Sequence, residues 1–475
     1  MLFNSLIFFV FLAAFLPLYF ALRGRERLVL CLIASYFFYG WWDWRFLSLI
    51  ASSTLLDYYL GMAIGRSEDE GRRKSLLLVS MVVNLGVLAF FKYFNFFTDS
   101  FVEMVGSFGW DPGWNTLNII LPVGISFYTF QSMSYTIDIY RRQIPVEPDL
   151  LRFATFISFF PQLVAGPIVR ASEFLPQFQK DRNFKWDNFI SGTSQMAWGF
   201  FKKVAIADSL APFVDQCFAA PDTFSSIHLL IGVIFYSFQI YCDFSGYSDI
   251  AIGLARVMGF EFPKNFRTPY FSQNFSEFWT RWHITLSSWL RDYLYISLGG
   301  NRRGTLFTYR NLMLTMLLGG LWHGASWVFV FWGFLHGMYL VVQRLGSKPW
   351  NRLLNGLRIP NFAQFGLNVF IVYTLTCFAW IYFRSPDFSI ATDIITGIGS
   401  FENMIFSSVI NKFAVIKGVL LIGILLSIEI ADIQFNFREE VVTRPALRVA
   451  GLATLFWLIA FFGTFDSEAF LYFQF

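Results

Sequence analysis

The chain has 475 residues, of which 56% are hydrophobic and 14% are charged, and its mean hydropathy is +0.52. Soluble domains carry about 25% charged residues, so this composition excludes an ordinary water-soluble protein and predicts one that is embedded in lipid. The formal net charge of +4 is small, and the basic residues cluster in short loops, so nucleic acid is not expected as a partner.

Eleven apolar stretches are candidates for transmembrane helices. They lie at about 2–22, 28–43, 46–65, 75–94, 118–139, 225–242, 311–330, 331–343, 365–383, 412–431 and 446–463. Less apolar segments at about 150–170, 188–215 and 275–298 are typical of re-entrant, interfacial or protein-shielded helices. Backbone at membrane depth must satisfy its own hydrogen bonds, so we predict an all-α, polytopic integral membrane protein with about 11 transmembrane helices. No repeat or low-complexity linker divides the chain, and residues 1–475 are therefore predicted to form a single membrane domain.

The first stretch, 2–22, is too long for the core of a signal peptide and lacks a small-residue cleavage site. It is therefore predicted to be a retained transmembrane helix. Four single cysteines lie in apolar surroundings without a CxxC pair, which favours structural thiols over a disulfide or a metal site. They are Cys31, Cys217, Cys242 and Cys377.

Basic residues predict the orientation of the chain, because they are enriched in cytoplasmic loops. They follow the first, third and fifth stretches: Arg23, Arg25 and Arg27; then Arg66, Arg72, Arg73 and Lys74; then Arg141 and Arg142. The predicted loop 98–118, after the fourth stretch, carries Asp99, Glu103 and Asp111 and no basic residue. Arg438, Arg444 and Arg448 precede the last stretch. Both termini are therefore predicted to lie outside the cytoplasm.

The segment 240–253 (IYCDFSGYSDIAIG) carries two carboxylates in an apolar setting, so it must face a protein interior, a cavity or the interface. Asp243 and Asp249 are roughly 240° apart around a helix, so they cannot share a face as an acid–base pair. Structural ion pairs are the favoured role, and the candidate partners are Arg256, Arg267 and Arg281. Asp243 is also a candidate for lining a tunnel.

The segment 263–304 mixes aromatic, basic and acidic residues at close spacing, as a helix beside a cytoplasmic cavity would. An interfacial belt of aromatics would explain Trp279 and Trp282, but it would not also explain His283. Arg302 and Arg303, with Arg310, are candidates for contacting the phosphates of a cytosolic donor, although ordinary positive-inside loops also account for them.

His323 is the only ionisable residue in the stretch 311–330 (NLMLTMLLGGLWHGASWVFV). An ionisable side chain near the middle of a span costs at least ~2.5 kcal/mol, so a function is the default hypothesis. A satisfied core histidine is the alternative. His323 is flanked by Trp322 and Gly324. The tryptophan would form one wall of a substrate site, and the glycine would let a substrate approach the imidazole closely. His323 and His336 would face different directions on one continuous helix, so they are not expected to share a metal, and His228 is predicted to be structural.

The motifs resemble those of the membrane-bound O-acyltransferase (MBOAT) family, in its bacterial alginate O-acetyltransferase-like branch. The stretches that carry the resemblance are LPVGISFYTFQSMSYTIDIYR, FFPQLVAGPIVR, GFFKKVAIAD, YCDFSGYSDIAIG, FWTRWHITLSSWLRDYLYISLGGNRRG and LTMLLGGLWHG. Residues 240–340 are the most specific block and are expected to form the catalytic core. The resemblance implies catalytic roles for His323 and His283, and it implies helices around a central tunnel with His323 near its narrowest point.

The resemblance also implies the reaction and its partners. Acetyl would pass from cytoplasmic acetyl-CoA, with no bound cofactor, across the cell inner membrane to an exported polysaccharide such as alginate or another cell-surface glycan. An extracytoplasmic SGNH-hydrolase-like acetyltransferase and a polysaccharide synthesis or export complex would complete the transfer. The aromatic tail within 464–475 ends in FLYFQF, and Tyr472 is implied as an acyl relay. Anchoring of the tail in the interface is the alternative.

Two other functions fit many helices with buried polar groups. A transporter or flippase would predict related halves with matching broken helices, and the sequence shows no such symmetry. The second is a scaffold subunit of an exopolysaccharide synthase complex, with a vestigial His323. It would neither transfer an acyl group nor transport a substrate.

Overall fold

The computed structural model describes residues 1–110, 113, 117, 119–180, 182–401, 412–465 and 470–471. Within these ranges the chain is helical and has no β-strand, which confirms the all-α prediction. The α-helices of the described residues are α1 Leu6–Ala21, α2 Gly24–Gly40, α3 Leu47–Arg66, α4 Glu70–Gly106, α5 Ile125–Tyr140, α6 Leu150–Ser158, α7 Phe160–Leu163, α8 Ala171–Phe174, α9 Trp186–Phe200, α10 Asp208–Ala219, α11 Ser226–Val257, α12 Phe275–Arg281, α13 Ile284–Trp289, α14 Thr305–His323, α15 Trp327–Gly356, α16 Asn361–Arg384, α17 Phe388–Gly399, α18 Lys412–Phe435, α19 Phe437–Thr443 and α20 Pro445–Phe462.

Seven helices of the described chain are long and apolar enough to cross a membrane: α3 with its preceding turn, α4, α11, α15, α16, α18 and α20. The predicted count of eleven is therefore not confirmed. Four stretches account for the difference. Three form shorter helices, since α1 and α5 have 16 residues each and α2 has 17, and the fourth, 311–330, is divided between α14 and α15. The side chains of α5 are buried by protein from Ile125 to Ile139, so apolar sequence here reflects a protein core.

Two predicted boundaries are wrong. The stretch 311–330 is not one span, because α14 ends at His323 and α15 begins at Trp327. Likewise, Asp99 and Glu103 do not lie in a loop, since α4 continues without interruption to Gly106. Asp111, from the same predicted loop, lies outside the described residues.

The less apolar segments, for which we expected re-entrant, interfacial or protein-shielded helices, form short, interrupted helices. Residues 150–170 contain α6 and α7, and their side chains from Phe153 to Val169 are buried within protein. A π-helical turn, Phe201–Ala207, joins α9 to α10, and another, Leu290–Tyr295, follows α13. Such turns are rare and often occur at functional sites.

The chain forms two compact units. The first comprises Met1–Thr193 and Ala251–Pro263, and the second comprises Ser194–Ile250 and Lys264–Phe475. In the first unit, the buried carboxylate of Asp57 on α3 accepts hydrogen bonds from Ser80 Oγ at 2.6 Å, from Asn84 Nδ2 at 2.8 Å and from Ser132 Oγ. These donors lie on α4 and α5, so one carboxylate connects three helices. Burial of a carboxylate is tolerated when such bonds satisfy it.

In the second unit, glycines bring α14 and α15 into backbone contact. A Cβ atom at Gly320 would lie 2.2 Å from the backbone oxygen of Phe329, and one at Gly333 would lie 2.3 Å from that of Met316. Small residues permit such close approach between helices in membranes. This contact determines where the end of α14, and therefore His323, lies relative to α15.

Candidate active site

His323 is the last residue of α14 and lies in a buried aromatic cluster. Its ring centroid is 5.1 Å from that of Trp322, 5.1 Å from that of Trp332 and 5.3 Å from that of Phe383. Only 4% of the residue is exposed. The predicted mid-span position is wrong, because extended backbone at Gly324 and Ser326 ends one helix and begins the next. His323 therefore lies at a helix break within the protein.

Gly324 has a packing role that the sequence did not indicate. A Cβ atom at this position would lie 2.1 Å from Cε2 of Phe329. The space that we expected to admit a substrate is therefore occupied by a phenyl ring. Any larger residue at 324 would displace Phe329, which also packs against Phe383 at a centroid distance of 4.9 Å.

His283 lies between α12 and α13 and is fully buried. Its backbone is left-handed, with φ at +41°, a conformation that costs a side-chain-bearing residue roughly 1–2 kcal/mol. Such strain clusters at functional sites, where the surrounding structure holds it in place. The ring centroid of His283 is 6.4 Å from that of His323 and 6.0 Å from that of Trp322. The fold thus brings together two imidazoles that are far apart in sequence.

Asn265 holds the strained turn at His283, and sequence reasoning did not single it out. Its backbone oxygen accepts from Ile284 N at 2.9 Å, and its Oδ1 accepts from Thr285 Oγ1 at 2.9 Å. Its Nδ2 donates to Ser248 Oγ at 3.1 Å, which ties the turn to α11. The only sequence signal was an amide within an otherwise aromatic and basic segment, and this signal is weak.

Trp279 and Trp282 belong to the same aromatic cluster but contact different rings. Trp282 is fully buried, with its ring centroid 5.0 Å from that of Trp380. Trp279 packs against His336 at 5.1 Å. Because Trp332 contacts both His336 and His323, at 4.7 and 5.1 Å, it lies between the two histidines.

The other candidates lie elsewhere. Arg302 and Arg303 are exposed on the turn that precedes α14 and do not belong to the buried cluster. His228 is buried near the start of α11, where its Nδ1 lies 2.5 Å from Ser225 Oγ, as a structural residue would. The four cysteines are buried thiols.

Asp243 and Asp249 form ion pairs with lysines, so our prediction of arginine partners is wrong. Lys203 Nζ lies 2.7 Å from Asp243 Oδ1 and 2.6 Å from Asp208 Oδ1, and Lys202 Nζ lies 2.6 Å from Asp249 Oδ2. The signal was present in GFFKKVAIAD, because two lysines in an apolar segment require partners.

A close approach of two helices explains this pairing. A Cβ atom at Gly246 on α11 would lie 2.7 Å from the backbone oxygen of Gly199 and 3.0 Å from Lys203 N. The lysine-bearing π-helical turn therefore lies directly against the part of α11 that carries the two aspartates.

The described part of the C-terminal tail packs beside this ion cluster. Leu471 N donates to Asp243 Oδ2 at 2.8 Å. The ring of Phe470 is buried, 5.5 Å from that of Phe244, which in turn is 4.6 Å from the ring of His283. Tyr472, the predicted relay, lies outside the described residues.

Comparison with known proteins identifies the family. The sequence profile of the membrane-bound O-acyltransferase family (MBOAT) matches residues 36–384. A Pseudomonas aeruginosa protein named "Probable alginate O-acetylase AlgI" is 46% identical over 404 residues, which cover 84% of this chain and 75% of the relative. A Helicobacter pylori peptidoglycan O-acetyltransferase is 36% identical over 425 residues, 82% of this chain and 78% of the relative.

A more distant relative acts on another polymer. The teichoic acid D-alanyltransferase of Bacillus subtilis is 27% identical over 285 residues, which cover 57% of this chain and 70% of the relative. These matches and the apolar helices confirm the resemblance that the motifs indicated. The chain belongs to the membrane-bound O-acyltransferase family and is a multi-pass membrane acyltransferase.

Proposed function

We propose that this protein transfers acetyl from cytoplasmic acetyl-CoA across the membrane for O-acetylation of an exported polysaccharide. Relatives named for alginate and peptidoglycan O-acetylation support acetyl as the group and a glycan hydroxyl as the acceptor. Alginate or a similar cell-surface glycan is the acceptor that we favour, because the alginate relatives are 44–46% identical.

The observation that carries the proposal is the pair of buried imidazoles, with ring centroids 6.4 Å apart, at a helix break. His323 acts as the general base: it takes the proton from the hydroxyl that first receives acetyl, while the oxygen of that hydroxyl attacks the thioester carbonyl. The carbon–sulfur bond then breaks, and the CoA sulfur leaves as a thiolate that takes up a proton. His283, held by its turn, positions or polarises a reactant. No cofactor or metal is required.

The surrounding residues supply the environment of the reaction. Trp322, Trp279 and Trp282 form aromatic walls that keep water from the thioester. Arg302 and Arg303, both exposed, are available to the phosphates of the donor. His323 lies near the narrowest point of a tunnel that passes acetyl and retains CoA on the cytoplasmic side.

The tail provides a route from this site to the acceptor side. Phe470 packs against Phe244, whose ring contacts that of His283. In this route the hydroxyl that attacks the thioester is that of Tyr472, which holds acetyl as an ester. An extracytoplasmic SGNH-hydrolase-like partner, within a polysaccharide export complex, then transfers the acetyl to the glycan hydroxyl, and the phenol regains its proton. The protein resides in the cell inner membrane with both termini outside the cytoplasm.

The test is acetyl transfer from labelled acetyl-CoA by membranes that contain the full chain. A general base contributes ~10²–10⁴-fold, so His323→Ala is expected to reduce transfer by that factor at unchanged protein abundance. His283→Ala is expected to reduce it strongly but incompletely. His336→Phe is the matched control, since its ring nitrogens have no hydrogen-bond partner among the described residues and phenylalanine keeps the aromatic contacts.

Near-normal acetylation by His323→Ala would refute its role. If His283 is only structural, its variant will lose protein abundance in proportion to activity. The same assay separates the other functions, because a transporter takes up label without transfer and a scaffold does neither.

A further inference from the structure

A basic cavity in the first unit is not part of the histidine site. It has a volume of about 230 Å³ and lies where α1 ends and α2 begins. Within the described residues, its lining carries one carboxylate, Asp149, and five cations: Arg25, Arg27, Arg152, Lys180 and Arg182. A cavity with this charge balance favours an anion.

Two of these cations are held in place by backbone carbonyl oxygens. Arg27, only 7% exposed, donates from Nε and Nη2 to Leu22 O at 2.9 and 2.6 Å and from Nη1 to Arg182 O. Arg182 donates from Nη1 to Gly259 O at 2.5 Å and from Nη2 to Gln177 O at 2.5 Å. Neither forms an ion pair with a carboxylate in the part of the chain that the structure describes.

Within the described residues, the positive charge of the two guanidinium groups is only partly compensated, by Glu261, which acts electrostatically on Arg182. Burial is the main cause that lowers the pKa of Arg182; Tyr19 and Glu261 oppose the shift, and the nearby positive charge of Arg27 adds to it. An anion in the cavity would relieve this repulsion. The carbonyl contacts also hold both groups in fixed positions before a ligand arrives, which reduces the entropy that binding must overcome.

The start of α2 adds to the positive potential. Gly24, its first residue, lines the cavity, and no side chain caps this 17-residue helix. The first N–H groups of a helix and its dipole attract anions, phosphate among them.

The surroundings of the cavity place it at the depth of lipid headgroups. It follows α1, whose Leu6 and Val10 expose apolar side chains, as a lipid-facing helix does. At the end of α1 beside the cavity, the ring of Phe20 packs edge-on against that of Phe184, with centroids 5.3 Å apart. The ring of Phe184 in turn contacts that of Trp186 at a centroid distance of 5.2 Å. Trp186 is 67% exposed, and exposed aromatics of this kind mark the membrane–water boundary.

We propose that this cavity binds a phosphate group, and that its source is the headgroup of an anionic phospholipid. Arg27, Arg182 and the start of α2 contact the phosphate, while Arg25, Arg152 and Lys180 surround it. Basic pockets at the membrane surface bind lipid headgroups in this way. The proposal is independent of the acyl-transfer chemistry.

The experiment measures thermal unfolding of the purified full chain in neutral detergent, by tryptophan fluorescence. The probes are dioctanoyl phosphatidylglycerol, dioctanoyl phosphatidylcholine and inorganic pyrophosphate. The test variant combines Arg25→Gln, Arg152→Gln and Lys180→Gln, which spares Arg27 and Arg182. The matched control combines Arg66→Gln, Arg72→Gln and Lys74→Gln, three exposed cations of the same unit outside the cavity.

A ligand that binds only the folded state raises the unfolding temperature. We expect phosphatidylglycerol to raise it by several degrees for the wild type and the control, with the shift at least halved in the cavity variant and phosphatidylcholine without effect. If pyrophosphate produces the same variant-dependent shift, the phosphate site stands and its ligand is soluble. Arg25→Glu, at a side chain that is 75% exposed, should weaken the shift without threatening the fold. Equal shifts in the cavity variant and the wild type, or no shift with either anionic probe, would overturn the proposal.

Discussion

At the scale of single residues, the candidate site depends on the strained backbone of His283, which residues distant in sequence hold in place. The left-handed backbone of His283 is stabilised by hydrogen bonds from Ile284 and Thr285 to Asn265. Asn265 is in turn bonded to Ser248 on α11. This arrangement keeps the imidazole of His283 beside that of His323, at a centroid distance of 6.4 Å. Strain at one residue is thus offset by hydrogen bonds made by others.

Tyr472 tests the role of the tail. Leu471 N donates to Asp243 Oδ2, so the described part of the tail is bonded to a buried carboxylate. Tyr472→Phe keeps the ring and removes only the phenolic oxygen. If that oxygen carries acetyl, the variant should block polymer acetylation nearly as fully as deletion of residues 470–475, when both are measured by acetyl content of the polymer.

The alternative predicts a different pair of results. If the tail only packs or anchors, Tyr472→Phe should be almost silent while the deletion still impairs acetylation. The deletion also removes the buried Phe470 and Leu471, so its effect alone does not identify the oxygen. A fully active phenylalanine variant excludes the relay.

At the scale of helices, the position of His323 depends on how closely α14 and α15 pack. The glycines of this interface, Gly320 and Gly333, leave no room for a Cβ atom. Because His323 ends α14 and Trp332 lies on α15, separation of the two helices would open the aromatic cluster around the imidazole.

Gly320→Ala is expected to reduce both acyl transfer and thermal stability. Overpacking of this kind costs about 1–3 kcal/mol, and here the clashing atom is backbone oxygen, which cannot rotate away. Gly423→Ala on α18 is the matched control, because no atom lies within 4 Å of its Cβ position. We would measure acyl transfer and the unfolding temperature in detergent for both variants. Both quantities should fall for Gly320→Ala and stay near the wild-type values for Gly423→Ala. Equal behaviour of the two would contradict the packing argument.

At the scale of the whole molecule, the proposed function requires an orientation of the chain in which acetyl-CoA reaches His323 from the cytoplasm. α4 has 37 residues, so at 1.5 Å per residue it is ~55 Å long and exceeds a bilayer core of ~30 Å. A helix of this length that crosses the membrane has its two ends on opposite sides.

Cysteine labelling measures this orientation directly. All four native thiols are buried, so they should react little with an impermeant maleimide. In intact cells, the reagent should label Ser107→Cys, at the exposed end of α4, and should not label Glu68→Cys, before its start. Both should be labelled in opened membranes. The reverse pattern in intact cells would put the donor side outside, where acetyl-CoA is not supplied.

Composition and local motifs determined the class of this protein. High hydropathy predicted an all-helical membrane protein, and the motifs around His323 and His283 indicated an acyltransferase family. These properties follow from the sequence because lipid imposes helices on any spanning chain. Apolar length did not predict the spans as well, because the stretch 118–139 includes most of α5, a 16-residue helix whose side chains are buried within protein from Ile125 to Ile139.

Only the tertiary structure decided which residues meet. It paired Asp243 with Lys203, where arginines had been expected, and it placed the imidazole of His283 beside that of His323. It also filled the space at Gly324 with Phe329 and ended α14 at His323, within a stretch that was expected to be one span. Helical periodicity relates residues within one helix, whereas these contacts depend on packing between helices, on helix breaks and on glycines that allow backbones to touch.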